Sequence, residues 1–570
     1  MRYANVFLPL LLLSSFAIPL FAQMPHSELD RTDARSMVIT RRGIVASDQV
    51  LASQAASEIL ARGGSAADAA IAANAAMGVM EPMLNGMGGD LFVIEYNAKT
   101  GKLTGLNSSG WAPEKLTPAF LESKGITKMP QFGIYSVTVP GVVAGWAALH
   151  QKFGKLPWKE LFRPAIYYAQ HGFPVTQFVS AYWRYAQPRL EKGVNTQVFL
   201  PGGEAPKVGQ IFRNPAYARA LELVADDGPE AFYRGPIAKA ILETSDKLGG
   251  VMSASDLADF KPEWVTPIST TYHGWQVYEL PPNGQGMAAL EMLNIMDRFP
   301  LAKWGFLSAR AFHIKMAAQQ LAYSDLRRYI GDPRMVKIPV PGIISKAYAA
   351  KRAGLIAPNK ASCQVTPGNP WPYKGDTTYM TAVDSQGNIV SLIQSLYEGF
   401  GSFVVVKPYG FALQDRGALF TLDPKLPDVL AGRKRPWHTI IPAFMQKGPL
   451  HIGFGIMGGL NQPQAHAQFV SDIVDYGMDL QGALEAPRFT NAGLDGCKFF
   501  IEDRVPESVR EKLTKMGYEL EVRGAFSTAM GGGHAVMYDS ATGMKYGASS
   551  PRKDGAAIPE PAPIFSQKRK

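Results

Sequence analysis

Apolar residues recur at helical spacing between positions 49 and 82, and alanines fill most of the remaining positions, in QVLASQAASEILARGGSAADAAIAANAAMGVMEP. A glycine pair, Gly63 and Gly64, interrupts the run, and glycine disfavours a continuous helix. The pattern therefore predicts two helices with a break between them. Residues 89–110 then alternate apolar and polar positions on both sides of an NAKTG turn, which predicts a β-hairpin.

The two halves of the chain differ in pattern. From about Gly141 to Ala349, helical spacing dominates, with Pro and Gly between the segments. From Thr377 onward, one helical segment, QAHAQFVSDIVDYG, stands among strand-like segments: TYMTAVD, NIVSLIQSL, FVVVKPYGFALQ, HIGFGIM and HAVMYD. This order predicts an α+β fold in which sheets are buried between helices.

The first 22 residues have the pattern of a secretory signal peptide. Arg2 precedes an apolar stretch from about Val6 to Phe21, and Ala22 offers a small residue for cleavage. An uncleaved membrane anchor is the alternative interpretation. No later stretch of about 18 apolar residues follows, so we expect a mature protein without a membrane span, periplasmic or secreted.

Charge and composition exclude few functions. The chain has 570 residues, of which 19% are charged, and a net charge of +10 that is spread along its length. It contains no basic motif interleaved with aromatic residues, so nucleic-acid binding is not predicted. The charge favours anionic substrates or surfaces only mildly.

Cysteine and histidine positions predict no metal site. Cys363 and Cys497 are the only cysteines and have no metal-binding spacing, and the sequence leaves open whether they are bonded to each other. No His-Glu-x-x-His pattern occurs. The histidines of the second half lie on separate predicted elements: His438, His451, His466 and His534.

Thr377 stands at the head of a strand-like segment, directly after Asp376. A threonine at a chain terminus can act as a complete catalytic unit, because its hydroxyl is the nucleophile and its own α-amine is the general base. The α-amine titrates near pH ~8, close to working pH. This interpretation requires cleavage of the Asp376–Thr377 peptide bond. The alternative is an ordinary strand threonine.

A glycine-rich turn lies between the predicted strand HIGFGIM and the following helix. Gly453, Gly455 and Gly458 match the dinucleotide-binding pattern G-x-G-x-x-G, but no βαβ series surrounds them. In the second interpretation, Gly458 and Gly459 expose backbone N–H groups that hold the oxyanion of an acyl-transfer intermediate. A tight turn that needs positive φ is the third.

Ordered motifs along nearly the whole mature chain resemble the gamma-glutamyltranspeptidase family, also called glutathione hydrolases, of the N-terminal-nucleophile superfamily. They include GGSAADAAIAA, EPMLNGMGGDLFVIEY, VPGVVAGW, LPPNGQGMAALEMLNIM, YSDLRRYIGDP, GDTTYMTAVDSQGN, MGGLNQPQAHAQ and GASSPRKDGAA. The resemblance implies a four-layer αββα sandwich and autocleavage before Thr377. It also implies a helix-rich large subunit (23–376), a strand-rich small subunit (377–570) paired with it as a heterodimer, and no cofactor.

The same resemblance assigns roles to residues. Thr377 matches the nucleophile of the family, and Gly458 and Gly459 match its oxyanion-hole glycines. Ser395 falls where the family has a threonine hydroxyl that supports the nucleophile, and a serine hydroxyl offers the same donor and acceptor. A simple strand serine is the alternative for Ser395.

The substrate-binding positions depart from the family pattern. Ser109 replaces an arginine that holds the substrate α-carboxylate in classical members, and Tyr397 replaces an asparagine. Arg416 and Leu419 replace a glutamine and an aspartate at the α-amino end of glutamate. A serine pair of the classical site corresponds to His438 and Thr439.

These departures change the expected substrate. Leu419 cannot pair with an ammonium group, whereas Arg416 offers a planar cation suited to a carboxylate. The site has thus lost an amino-group clamp and gained a possible anion clamp. The alternatives are a surface arginine paired with Asp415 and, for His438, a loop or core histidine.

Three substrate classes and one non-enzymatic function follow. The family default is transfer or hydrolysis of γ-glutamyl amides such as glutathione through an acyl-enzyme. The pattern also resembles the divergent branch that includes an oxamate amidohydrolase, which acts on a small carboxylate-bearing amide. A glutaryl-type acylase is the third enzymatic hypothesis. A processed, non-catalytic binding protein is the alternative from another class.

Overall fold

The computed structural model describes residues 33–366, 376–491, 493 and 496–565, without the side chains of residues 376–378 and 565. The predicted signal peptide, residues 1–22, lies outside the described residues. The strands are β1 Val38–Thr40, β2 Ile44–Ser47, β3 Asp90–Asn97, β4 Lys102–Ser108, β5 Phe173–Pro174, β6 Ile211–Phe212, β7 Glu263–Val265, β8 Ile268–Tyr272, β9 Trp275–Glu279, β10 Asp376–Val383, β11 Ile389–Tyr397, β12 Val405–Val406, β13 Phe411–Ala412, β14 Ala443–Lys447, β15 Leu450–Ile456, β16 Phe489–Asn491, β17 Lys498–Glu502, β18 Glu519–Arg523, β19 Gly533–Asp539, β20 Lys545–Ser549 and β21 Ala556–Pro559.

The α-helices are α1 Val50–Ala61, α2 Ala66–Met80, α3 Pro118–Ser123, α4 Val142–Phe153, α5 Arg163–His171, α6 Gln177–Leu190, α7 Pro215–Asp227, α8 Pro229–Tyr233, α9 Pro236–Lys247, α10 Ala254–Ala258, α11 Gly286–Met296, α12 Leu301–Trp304, α13 Ala309–Tyr329, α14 Val340–Ile343, α15 Lys346–Ala353, α16 Asn461–Val474, α17 Leu480–Glu485 and α18 Glu507–Lys515. Short 3₁₀ segments are Ile134–Ser136, Trp158–Phe162, Thr196–Phe199, Pro201–Gly203, Arg416–Leu419, Thr528–Met530 and Pro563–Phe565. Within the described ranges, no helix combines the length and apolarity needed to cross a membrane.

Two antiparallel seven-stranded sheets form the centre of the protein. The first has the strand order β21-β2-β10-β11-β3-β4-β7, and the second has the order β1-β20-β19-β15-β14-β9-β8. Strand alternation separates the two faces of β10. Tyr379 and Val383 belong to the apolar layer between the sheets, whereas Met380 and Ala382 pack under α1 and α2.

Helices cover the outer face of each sheet, which gives the four-layer αββα sandwich that the family resemblance implies. Alanine-rich α1 and α2 lie on the first sheet, where small side chains allow close packing. Helices α11, α13 and α16 cover the second sheet. The α+β fold class is thus confirmed.

The segments before and after Thr377 build one core together. Each contributes seven strands to the two central sheets, and β10 lies between β2 and β11, one strand from each segment. The first segment is therefore less purely helical than the sequence pattern indicates, because it also contains the short strands β7, β8 and β9. The two predicted helices around Gly63 and the hairpin at 89–110 are confirmed.

One predicted strand is wrong. FVVVKPYGFALQ contains only the two-residue pair β12 and β13, because Pro408 and Gly410 turn the chain back within the segment. The turn brings residues 414–416 beside the end of β11, where Asp415 donates its N–H to the carbonyl of Leu396 at 3.1 Å. This return path places Arg416 next to the candidate site.

Candidate active site

The beginning of β10 is the centre of the candidate site. Asp376 pairs with Tyr397 and Thr378 pairs with Gln394, so a bulge sets Ser395 and Leu396 opposite Thr377. The backbone thus places Ser395 beside the predicted nucleophile. The side chain of Thr377 lies outside what the structure describes, and its role stays a prediction.

The glycines of β15 bring the second sheet close to β10. A Cβ atom at Gly453 would lie 3.1 Å from Thr381 Oγ1, and one at Gly455 would lie 2.5 Å from the Tyr379 ring. Each step of two residues along β15 therefore moves two residues back along β10. Extended by one step, this register points the end of β15, which Gly458 closely follows, toward the start of β10.

This packing explains the G-x-G-x-x-G match without a nucleotide. Gly453 and Gly455 lie inside β15, between the antiparallel neighbours β14 and β19, and they give the two sheets their close approach. A dinucleotide-binding turn would follow a parallel strand instead. The structure thus contradicts the dinucleotide interpretation.

Gly458 and Gly459 form the turn between β15 and α16. Their φ angles are +119° and +58°, which only glycine adopts easily. Within the described residues, neither N–H donates to a protein acceptor, and Gly458 is partly exposed. Two free N–H groups beside the start of β10 fit the predicted oxyanion hole.

Arg416 lies at the other side of the β10 start. Its guanidinium stacks on the Tyr397 ring, 4.5 Å from Cζ to the ring centroid, and Nη1 donates to Thr439 Oγ1 at 2.7 Å. The side chain is fully buried, and among the described residues Nε and Nη2 have no acceptor. Burial lowers the pKa of Arg416 to about 10, so the guanidinium stays charged at neutral pH. The surface-arginine alternative is wrong.

Tyr397 has an uncommon backbone conformation, with φ of +81°. Its N–H donates to Ser395 Oγ at 2.8 Å, so these two predicted site residues are in direct contact. A bulky residue in the left-handed region indicates strain that the surroundings must compensate, and such strain is frequent at functional sites.

His438 is held by a carboxylate that the sequence interpretation missed. His438 Nε2 donates to Asp90 Oδ2 at 2.9 Å, and Nδ1 accepts the N–H of Ile440 at 3.4 Å, which fits a neutral ring. Burial and, to a smaller extent, the nearby Arg416 together lower the pKa of His438 to about 3. His438 is therefore a hydrogen-bond donor here and not an acid–base group.

Asp90 connects several parts of the site. Its Oδ1 accepts hydrogen bonds from the Gly110 N–H at 2.8 Å and from Gln414 Nε2 at 2.9 Å. The only sequence signal for Asp90 was a charged residue at the head of an otherwise apolar strand, in GGDLFVIEY. A buried carboxylate that accepts three donors fixes the relative positions of the segments that supply them.

Ser109 is buried and hydrogen-bonded to two asparagines. Its Oγ donates to Asn107 Oδ1 at 2.7 Å and accepts from Asn283 Nδ2 at 3.1 Å. Asn283 also donates to the Pro436 carbonyl at 2.7 Å. Ser109 thus lies near the segment of His438, but no described contact links it to Arg416, and its substrate-binding role stays a prediction.

Gln285 is a second residue that the sequence interpretation missed. Its Nε2 donates to the carbonyls of Thr439 at 2.5 Å and Gly459 at 2.8 Å, and its side chain is fully buried. It therefore joins the segment of Thr439 to the Gly458–Gly459 turn. The motif LPPNGQG contains it, but nothing in that pattern distinguishes this glutamine from a turn residue.

Known proteins are similar to this chain over almost its whole length. The chain is 34% identical to the glutathione hydrolase-like YwrD proenzyme of Bacillus subtilis, over 91% of this chain and 99% of that protein. It is 33% identical to the oxamate amidohydrolase proenzyme of Klebsiella pneumoniae, over 91% and 98%. A crystal structure of cephalosporin acylase from Bacillus halodurans superimposes with a TM-score of 0.87 and 38% identity, covering 93% of this chain and 98% of that one.

The gamma-glutamyltranspeptidase family model matches residues 52–560. That range includes both central sheets except β1 and β2, and it includes every predicted site residue. The chain belongs to the gamma-glutamyltranspeptidase family of N-terminal-nucleophile hydrolases.

Proposed function

We propose that the protein is an exported, self-cleaving amidohydrolase that uses Thr377 as its nucleophile and acts on a small amide bearing a carboxylate. The observation that carries this proposal is Arg416. It is a fully buried cation with two nitrogens, Nε and Nη2, that have no acceptor among the described residues, beside the start of β10.

Maturation begins at the Asp376–Thr377 peptide bond. The Thr377 hydroxyl attacks the Asp376 carbonyl carbon, the C–N bond breaks, and the acyl group moves to the oxygen as an ester. Water then hydrolyses the ester, which leaves a carboxylate on Asp376 and a free α-amine on Thr377. The names of the relatives, which are called proenzymes, support such a step.

Turnover follows the same chemistry with an external amide. The α-amine of Thr377 takes the hydroxyl proton as the oxygen attacks the substrate carbonyl, and the Gly458 and Gly459 N–H groups stabilise the oxyanion. The leaving amine receives the proton, and an acyl-enzyme remains. Water, activated by the α-amine, releases the acid.

The substrate class follows from charge. A carboxylate accepts two parallel hydrogen bonds from a guanidinium, and burial strengthens such a contact. Leu419 is buried in the same apolar cluster as Tyr397, and its side chain offers nothing to an ammonium group. An acyl donor with a carboxylate but without a required α-amino group, such as oxamate or a glutaryl amide, suits this site.

Hydrolysis or transfer of γ-glutamyl amides is the second candidate. The name of the Bacillus subtilis relative favours it, because that protein is called glutathione hydrolase-like. A γ-glutamyl group also carries a carboxylate for Arg416, but its ammonium group would need a partner other than Leu419.

Export is part of the proposal. The signal-peptide pattern of residues 1–22 supports it, and so does the bond between Cys363 and Cys497, because disulfides persist mainly in oxidising compartments.

The test compares variants of two adjacent threonines. Intact mass is measured for the wild type, Thr377→Ala and the matched control Thr378→Ala, and each is assayed with oxamate, a glutaryl anilide, a γ-glutamyl anilide and glutathione. We expect cleavage before Thr377 in the wild type and in Thr378→Ala, and an uncleaved, inactive Thr377→Ala. Cleavage of Thr377→Ala at the wild-type rate would show that the nucleophile is wrong.

The substrates separate the remaining hypotheses. Faster turnover of oxamate or the glutaryl anilide than of both γ-glutamyl compounds supports the proposed class. The reverse order favours the family default. Tight binding of these compounds to cleaved protein without turnover would favour a binding protein.

A further inference from the structure

Asn461 holds the turn at Gly458 and Gly459, the oxyanion turn, from behind. The carbonyl of Met457 accepts a hydrogen bond from Asn461 Nδ2 at 3.0 Å, and the carbonyl of Gly458 accepts one from the Asn461 backbone N–H at 2.9 Å. Asn461 is the first residue of α16 and is almost completely buried.

These two carbonyls set the direction of the two N–H groups. In a trans peptide, the C=O and the N–H of one peptide unit point in opposite directions. The Met457 carbonyl shares its peptide unit with the Gly458 N–H, and the Gly458 carbonyl shares its unit with the Gly459 N–H. Both bonds are trans. Fixing the carbonyls on the Asn461 side therefore aims both N–H groups to the other side.

Asn461 is itself anchored. Its Nδ2 donates a second hydrogen bond to the Met530 carbonyl at 2.9 Å, so both hydrogens of the amide are used. A Cβ atom at Gly458 would lie 3.0 Å from Asn461 Cβ, which shows how closely the side chain packs under the turn. The amide therefore has little freedom to rotate away.

We propose that Asn461 is the positioning residue of the oxyanion hole. It does not touch the substrate. It keeps the glycine peptide units, whose φ angles would otherwise be free, in the orientation that a developing oxyanion needs. This inference rests on the proposed amidohydrolase function, but it concerns a residue to which neither the family resemblance nor the charge argument gives a role.

The test uses a near-isosteric pair of variants in α16. Asn461→Leu keeps the shape of the side chain and removes both hydrogen-bond donors. Gln468→Met is the matched control, because Gln468 Nε2 likewise donates to two carbonyls, Gln464 and Phe489, in the same helix and is equally buried. Both variants lose a buried amide, but only one loses the contact with the oxyanion turn.

Steady-state kinetics on processed enzyme separate positioning from stability. We expect Asn461→Leu to lower kcat by about 10- to 100-fold and to leave KM within about twofold, since oxyanion contacts strengthen in the transition state. Gln468→Met should lower the melting temperature to a similar extent with kcat unchanged. Equal kcat in Asn461→Leu and the control, or a rise in KM alone, would overturn the proposal.

A boronic acid that carries the acyl group of the fastest substrate gives a second readout. Its tetrahedral adduct on Thr377 places an oxygen in the oxyanion hole. Its inhibition constant should rise in Asn461→Leu by about the same factor as kcat falls, while inhibition by the product carboxylate stays constant. Asn461→Asp is measured in parallel in case the leucine variant does not fold, and we expect an equal or larger kcat loss. If the wild type and Gln468→Met are cleaved and active, the proposed function holds, even where the result for Asn461→Leu contradicts a positioning role.

Discussion

The guanidinium of Arg416 lies on the ring of Tyr397, and Tyr397 pairs across the first sheet with Asp376, the last residue before the predicted new N-terminus. The cation is therefore held by the residue that pairs with the start of β10. The face of the Tyr397 ring stabilises the Arg416 guanidinium, because a cation–π contact contributes about 2 kcal/mol when the cation is desolvated. Tyr397 takes part in this contact with a positive φ, outside the regular strand conformation.

Replacing Arg416 should separate binding of charged and neutral acyl groups. Arg416→Gln keeps a polar side chain but removes the charge and the paired donors. We expect KM for a carboxylate-bearing amide to rise more than about tenfold, because a charge-assisted bond contributes about 1.5–3 kcal/mol. KM for the matching substrate with a neutral amide in place of the carboxylate should change little. Michaelis constants for this substrate pair provide the measurement.

Thr439→Val is the control for orientation. It removes the hydroxyl that accepts from Arg416 Nη1 but leaves the charge in place. Its effect on KM should have the same direction and be smaller than that of Arg416→Gln. If Arg416→Gln raised KM equally for both members of the substrate pair, the anion clamp would be wrong.

The His438–Asp90 pair should tolerate a neutral donor. The His438 ring is neutral, since burial lowers its pKa to about 3, and what it gives to Asp90 is one N–H. Gln places its amide nitrogen near the position of Nε2. We therefore expect His438→Gln to retain most of kcat/KM and the pH profile of the wild type between pH 5 and 9.

His438→Leu removes that donor and leaves Asp90 Oδ2 without its hydrogen bond. An unpaired buried oxygen lowers stability by about 1–3 kcal/mol, and by more for a charged group. This variant should lower both the melting temperature and kcat/KM by a clear margin over His438→Gln. A general acid–base role for His438 would instead appear as a large kcat loss in both variants, with one limb of the pH profile missing.

The parts of the fold that local pattern controls could be predicted from the sequence. Helices α1 and α2 and the hairpin β3–β4 follow from spacing and turn residues alone. The hairpin β8–β9 could not be recognised, because its alternating segments are short and lie within a long helical region. Segment 403–414 reads as a strand by composition, but Pro408 and Gly410 shorten it to two paired residues on each side.

Within the site, long-range hydrogen bonds limit how many functional residues can be predicted from the sequence. Arg416 could be singled out as a charged residue at a position where the family has an amide. Its full burial and its contact with Tyr397 depend on the bulge at Thr377 and the return of the chain after β13. Asp90 and Gln285 act through partners more than 150 residues away, so no local pattern distinguishes them.

The bond between Cys363 and Cys497 should become a link between subunits. The two cysteines are 134 residues apart, and the predicted cut before Thr377 falls between them. We expect mature protein to run as one species on a non-reducing gel and as two after reduction. Cys497→Ser should separate into two species without reductant and lose stability, since removal of such a bond typically costs about 2–4 kcal/mol.

The uncleaved Thr377→Ala precursor is the control for the gel, because it should remain one species with and without reductant. Thiol titration of unfolded wild type should find no free cysteine. Two free thiols, together with two species on the non-reducing gel, would show that the subunits are joined only by packing.

Glu95 should make the protein less stable as the pH rises. It lies in β3 between β4 and β11, nearly fully buried, and among the described residues its Oε2 has no partner. Burial raises its pKa from 4.5 to about 8, against the opposing effect of Lys152. The folded protein thus holds this proton more tightly than the unfolded chain, so the stabilisation is complete below pH 4.5 and is lost as the pH rises to about 8.

Glu95→Gln removes this dependence. We expect its melting temperature to match that of the wild type near pH 5 and to exceed it at pH 9, whereas Glu122→Gln, exposed in α3, should follow the wild type at both. A constant difference between Glu95→Gln and the wild type from pH 5 to 9 would contradict a buried, protonated Glu95.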